Sequence, residues 1–193
     1  GGPSLDKEES QPISRPISAP LSTILDTGVK AIDLVAPIKR GGNVGLFTPL
    51  SGVGLIFLAR QIVESVSVLH DGYVVYMGLE GAGFEARYRG DEFMVDMGMN
   101  GELLAERVVF VYGKADSPMS EWDKVAETGL TLAAGFQSKG NEVLLVVDGK
   151  MTLSADIARY LAANTGPTPD GAITTLYVGS HTVGLEPEHL ADL

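Results

Sequence analysis

Apolar residues in this chain follow two rhythms. Short, nearly continuous apolar runs at 43–48, 73–77, 108–112, 143–148 and 172–178 predict β-strands. Between them, 53–70, 83–97, 119–138 and 152–163 repeat apolar positions three or four residues apart, the period of an amphipathic helix. Strands that are apolar on both faces and alternate with helices predict a mostly parallel sheet covered on both sides, an α/β fold. Residues 1–20 lack either rhythm. They are rich in Pro, Ser and charge, and read as an extended arm or linker ahead of one domain over 21–193. No internal repeat is visible.

Composition narrows the classes. The chain has 193 residues, 45% of them hydrophobic, which suits one domain with a sizeable core. No apolar stretch approaches the roughly 20 residues that span a bilayer, so membrane insertion is not expected. No charged–apolar–small signal opens the sequence, which makes a cytoplasmic location the expectation. The absence of Cys excludes disulfides and thiolate metal sites. A net charge of −11 argues against nucleic acid, whose binding rests on Lys and Arg neutralising phosphates. It also opposes a polyphosphate ligand unless a local cation or metal compensates; otherwise an acidic surface serves solubility.

The candidate chemistry begins at Thr48-Pro49-Leu50-Ser51-Gly52-Val53-Gly54-Leu55-Ile56, which follows a predicted strand and opens a predicted helix. This is the context of the phosphate-binding P-loop, G-x-x-x-x-G-K-[ST]. In such a loop, backbone N–H groups cradle phosphates, the Lys neutralises the terminal one, and the hydroxyl holds magnesium. Here Pro49 replaces the first Gly, Leu55 the Lys and Ile56 the Ser/Thr. What remains at Gly52, Val53, Gly54, Leu55 and Ile56 is a vestigial nucleotide-binding loop whose N–H groups at a helix N-terminus could attract an anion weakly. The opposing reading is a loop packed as structure.

The flanks carry a more specific likeness. The run from Thr27-Gly28-Val29-Lys30-Ala31-Ile32-Asp33-Leu34-Val35-Ala36-Pro37 through Lys39-Arg40-Gly41-Gly42-Asn43-Val44-Gly45-Leu46-Phe47 resembles the nucleotide-binding domain of the rotary ATP synthase catalytic (beta) subunit. Val109-Phe110-Val111-Tyr112-Gly113, Gly129-Leu130-Thr131 and Val143-Leu144-Leu145-Val146-Val147-Asp148 continue it, over about residues 22–188. The resemblance implies a RecA-like P-loop fold, with helices on both faces of the sheet. It also implies an N-terminal β-barrel and a C-terminal helical domain, for which 193 residues leave no room, and an active-site arginine supplied by an adjacent alpha subunit.

Other positions are weighed against that frame. The resemblance puts the water-orienting Glu and the following Arg at Gly81 and Ala82, with Glu80 one residue early, where a strand-end side chain points to the other face. Gly81-Ala82-Gly83-Phe84-Glu85-Ala86 also fits the dinucleotide fingerprint, but it follows the second long strand and lacks the acid expected about 20 residues on. Asp148 ends an apolar strand at the Walker B position, where the resemblance implies a magnesium ligand. Gly149 follows it and no hydroxyl stands at position 56, so a structural role that satisfies nearby backbone donors is favoured. His70, His181 and His189 are too scattered for a metal site, and Ser180 beside His181 is no nucleophile–base pair. Trp122 reads as a partly buried helix residue. Only about two dozen residues separate Asp148 from Ala172, where the resemblance implies a much longer segment.

The sequence therefore predicts a degenerate Walker A loop and a pseudoenzyme: no catalytic residue, no resident cofactor, and a role in binding or assembly. The expected partners are further copies of the chain or ATP synthase-like subunits. The alternative is a weak or partner-completed ATPase domain binding Mg-ATP or Mg-ADP at low affinity, with Asp148 as the metal ligand. A third class is an evolutionary by-product with no ligand role.

Overall fold

The computed structural model describes residues 24–48, 53–78, 106–113, 118–148, 155–169 and 171–180. In chain order these form β1 (Ile24–Leu25), α1 (Lys30–Val35), β2 (Ile38–Lys39), β3 (Asn43–Thr48), α2 (Val53–Val68), β4 (Tyr73–Gly78) and β5 (Val108–Tyr112). They continue with α3 (Met119–Gln137), β6 (Glu142–Asp148), α4 (Ala155–Asn164), β7 (Gly166–Pro167) and β8 (Ala172–Ser180). All five predicted strands are present, as are three of the four predicted helices. The arm at 1–20 and the helix at 83–97 lie outside the described residues. Sequence periodicity missed α1, β1, β2 and β7, which are six residues or shorter and too brief to show a period.

The main sheet runs β3-β8-β6-β4-β5, and every neighbouring pair on that path is parallel. The two-residue β7 pairs antiparallel with the start of β8. Alternation along the strands splits the core into two layers. Val74 and Tyr76 of β4, Leu144 and Val146 of β6, and Leu176 and Val178 of β8 face one side, against Leu55, Ala59, Ile62, Val63 and Val66 of α2. Their neighbours Val75, Met77, Leu145, Val147, Ile173 and Tyr177 face the other, against α3 and Leu161 of α4. The helix that carries the chain from β3 to β4 lies on one face. Those that carry it back, from β5 to β6 and from β6 to β8, lie on the other, as right-handed crossovers require.

Two local features fix this packing. Gly129 lets α3 lie directly on β4: a Cβ there would overlap the Met77 sulfur. Trp122 of α3 is 6% exposed, a fuller burial than sequence predicted, because its ring packs over Gly113 just after β5. At the amino ends of the strands, Arg40 Nε lies 2.5 Å from Glu142 Oε2, with both side chains largely covered.

Candidate functional site

In a parallel sheet every strand points the same way, so its carboxyl ends line one edge, where open α/β sheets bind ligands. Register places Thr48 beside Ser180, Asp148 beside Val178, and Gly78 beside both Asp148 and Tyr112. The loop between β3 and α2 opens at this edge. Within it, Pro49 and Gly52 lie outside the described residues, as do Glu80, Gly81, Ala82 and Gly149. Val53, Gly54, Leu55 and Ile56 form the first turn of α2. The structure thus brings the predicted vestigial loop and Asp148 to one edge of one sheet.

Two side chains at that edge, Leu55 and Asp148, are covered, whereas Tyr112 is 46% exposed. Leu55 is 8% exposed and belongs to the apolar cluster between α2 and the sheet, together with Tyr76, Val146 and Val178. Asp148, on the same face as Leu144 and Val146, is 5% exposed. The Tyr76 hydroxyl donates to its Oδ2 at 2.5 Å. A hydroxyl donating to a carboxylate oxygen is among the stronger hydrogen bonds in proteins. The Tyr76 ring is itself fixed, 3% exposed and 5.4 Å from the Phe110 ring at a tilt of 41°.

Tyr76 was not found from the sequence. Its one signal was a hydroxyl inside an apolar strand that also opens on Tyr73, two residues before the strand end. Only the pairing of β4 with β6 gives that signal meaning. With Gly78 opposite Asp148, Tyr76 becomes the diagonal neighbour on the same face, within reach of a long side chain.

A magnesium-bound polyphosphate, the group the family likeness implies, can be tested against these residues. It needs a cation at the helix start, a hydroxyl beside it, and a carboxylate open to the metal's water shell. The residues present do not fit. Position 55 supplies a packed leucine, position 56 carries no hydroxyl, and the carboxylate is buried against a phenol. Among the described residues, no group of three His, Asp or Glu side chains could hold a metal ion.

Comparison with known proteins agrees with the architecture. The family model of the ATP synthase alpha/beta family, nucleotide-binding domain, matches residues 28–181. Among solved structures, a unique ATP synthase subunit, NeqB, from Nanoarcheaum equitans superposes with a TM-score of 0.65 at 19% identity, over 94% of this chain and 53% of that one. A prototypical ATPase from the type III secretion system of pathogenic bacteria gives 0.63 at 23% identity, over 86% of this chain and 52% of that one. At such identities the likeness speaks to fold. The chain spans about half the length of either structure.

Proposed function

We propose that this chain, which belongs to the ATP synthase alpha/beta family through its nucleotide-binding domain, acts in binding or assembly and does not hydrolyse nucleotide. The observation that supports the reading is the burial of two side chains at the carboxyl edge, Leu55 in the core and Asp148 bonded to Tyr76. Phosphoryl transfer depends on positioned charge, and removing a single donor to developing charge typically slows a reaction by about 10²–10³. Here the loop cation and the metal-binding hydroxyl are both replaced.

The assembly half draws support from the surface. Leu34 and Val35 of α1 are 82% and 84% exposed, an adjacent apolar pair that a partner would cover. We propose ATP synthase-like subunits or further copies of this chain as that partner, and the cytoplasm as the compartment. Among the described residues no helix is long and apolar enough to cross a membrane. Asp148, standing at the ligand edge, favours the second reading of a weak nucleotide site completed by a partner.

The test is a phosphate-release assay with magnesium and ATP, paired with light scattering for mass. The reading expects no release above background and a mass above that of one chain. Turnover near the usual enzyme median of about 10 s⁻¹ would refute it.

A further inference from the structure

We propose that the outer edge of β3 pairs with a second copy of this chain, joining two sheets through antiparallel β3 strands centred on Gly45. The proposal deepens the assembly reading above and rests on it, because it names the partner and the strand that meets it.

The backbone decides which groups β3 can offer. The strand ends the path β3-β8-β6-β4-β5, and Asn43 to Thr48 pair with β8 in unbroken parallel register. Just ahead of it, the Thr175 N–H donates to the Gly42 carbonyl at 2.9 Å. The N–H and C=O of one strand residue point to the same side, and the side alternates along the strand. Val44, Leu46 and Thr48 therefore turn their backbone groups toward β8, while Asn43, Gly45 and Phe47 turn theirs outward. Among the described residues, no strand takes up these outward groups. Such a row is a template for another chain, and natural edges are usually blunted by Lys, Pro or a bulge. β3 carries none of the three.

Three observations favour a second copy as the occupant. The outward residues are spaced evenly about Gly45. A two-fold axis there lets Gly45 exchange both bonds with its counterpart, while Asn43 and Phe47 exchange theirs with each other. Gly45 is exposed and has no side chain to obstruct the approach. Finally, a chain of net charge −11 repels its own copies, yet from Gly41 to Ala59 it carries no charged residue, so no like charges meet along the strand pair. One short strand pair makes a small junction, so the association is weak and depends on concentration.

The experiment reads mass and amide exchange on the full chain, from micromolar to near-millimolar protein. Wild type should pass from one chain to two in sedimentation equilibrium as concentration rises. Over the same range the amide exchange of Gly45 and Phe47, followed by NMR, should slow at least tenfold. Position 45 is unsuited to substitution, because a Cβ there would overlap the Phe47 ring. Asn43→Pro instead removes one outward N–H from each copy and leaves the β8 ladder intact. It should weaken the two-chain species at least tenfold, whereas Asn43→Ala, which keeps that N–H, should not. Equal affinity in the two variants would overturn the proposal.

The exchange measurement uses wild type and so does not depend on a variant folding. A single-chain mass at every concentration would overturn the pairing. So would slow exchange at Gly45 and Phe47 at every dilution, which would put a segment of the same chain on this edge. Fast exchange that persists while the mass doubles would also overturn it, placing the contact elsewhere and leaving the assembly reading standing.

Discussion

Leu55→Lys places an ammonium group where the first turn of α2 carries a side chain 8% exposed. Its effect on the fold can be worked out. Burying a leucine fully is worth about 1.5–3 kcal/mol relative to leaving it in water, and truncating one in a core costs about 2–5 kcal/mol. The lysine stem recovers part of that by lying along the helix while its charged end reaches for solvent. The net loss is then about 2–3 kcal/mol, and at roughly 2–4 °C per kcal/mol for a chain of this size the melting temperature should fall by roughly 4–12 °C. Leu55→Met, similar in volume and still apolar, should cost less than about 1.5 kcal/mol. The assay is thermal melting followed by circular dichroism, with urea titration alongside. If Leu55→Lys melts at or above wild type and gains affinity for Mg-ATP, the position is an open vestige and the packing argument is wrong.

The Arg40–Glu142 pair gives a pH-dependent outcome. Burial raises the Glu142 carboxyl above the usual carboxylate value, while the Arg40 hydrogen bond and charge pull it back. A raised carboxyl contributes stability below its unfolded value and loses it as pH climbs through the folded one. Arg40→Ala removes the opposing partner and extends that window upward, so the variant should lose roughly 1–3 kcal/mol more at pH 7 than at pH 4 in urea titrations. An equal loss at both pH values would refute the assignment. On the other face of the sheet, the Tyr177 hydroxyl is buried without a hydrogen-bond partner, and burial raises its pKa. Tyr177→Phe should therefore be neutral or stabilising by up to about 1 kcal/mol, read as a higher urea midpoint at unchanged slope; a loss of more than that would show a missed partner.

The fold was legible because its strands are apolar on both faces. Runs such as Val143 to Val147 and Tyr73 to Met77 suit a sheet buried on both faces, and the helices between them, with their own period, select the parallel kind. Strand order was not legible from periodicity, since it depends on which faces the crossovers cover. The carboxyl edge was half legible. Asp148 announced itself as an acid ending an apolar strand, and Leu55 as a leucine in a glycine loop. That Leu55 packs in the core and that Tyr76 reaches Asp148 are tertiary facts, set by the β4–β6 register and the approach of α2. Trp122 shows the same limit, because nothing in the pattern of α3 revealed that Gly113 leaves space for its ring.

Calorimetric titration of the wild-type chain with Mg-ATP and Mg-ADP tests the non-hydrolytic reading of the carboxyl edge most directly. A buried Leu55 and a carboxylate bonded to Tyr76 predict no saturable heat with either nucleotide. One-site binding by the unmodified chain, lost in Asp148→Asn, would contradict the account.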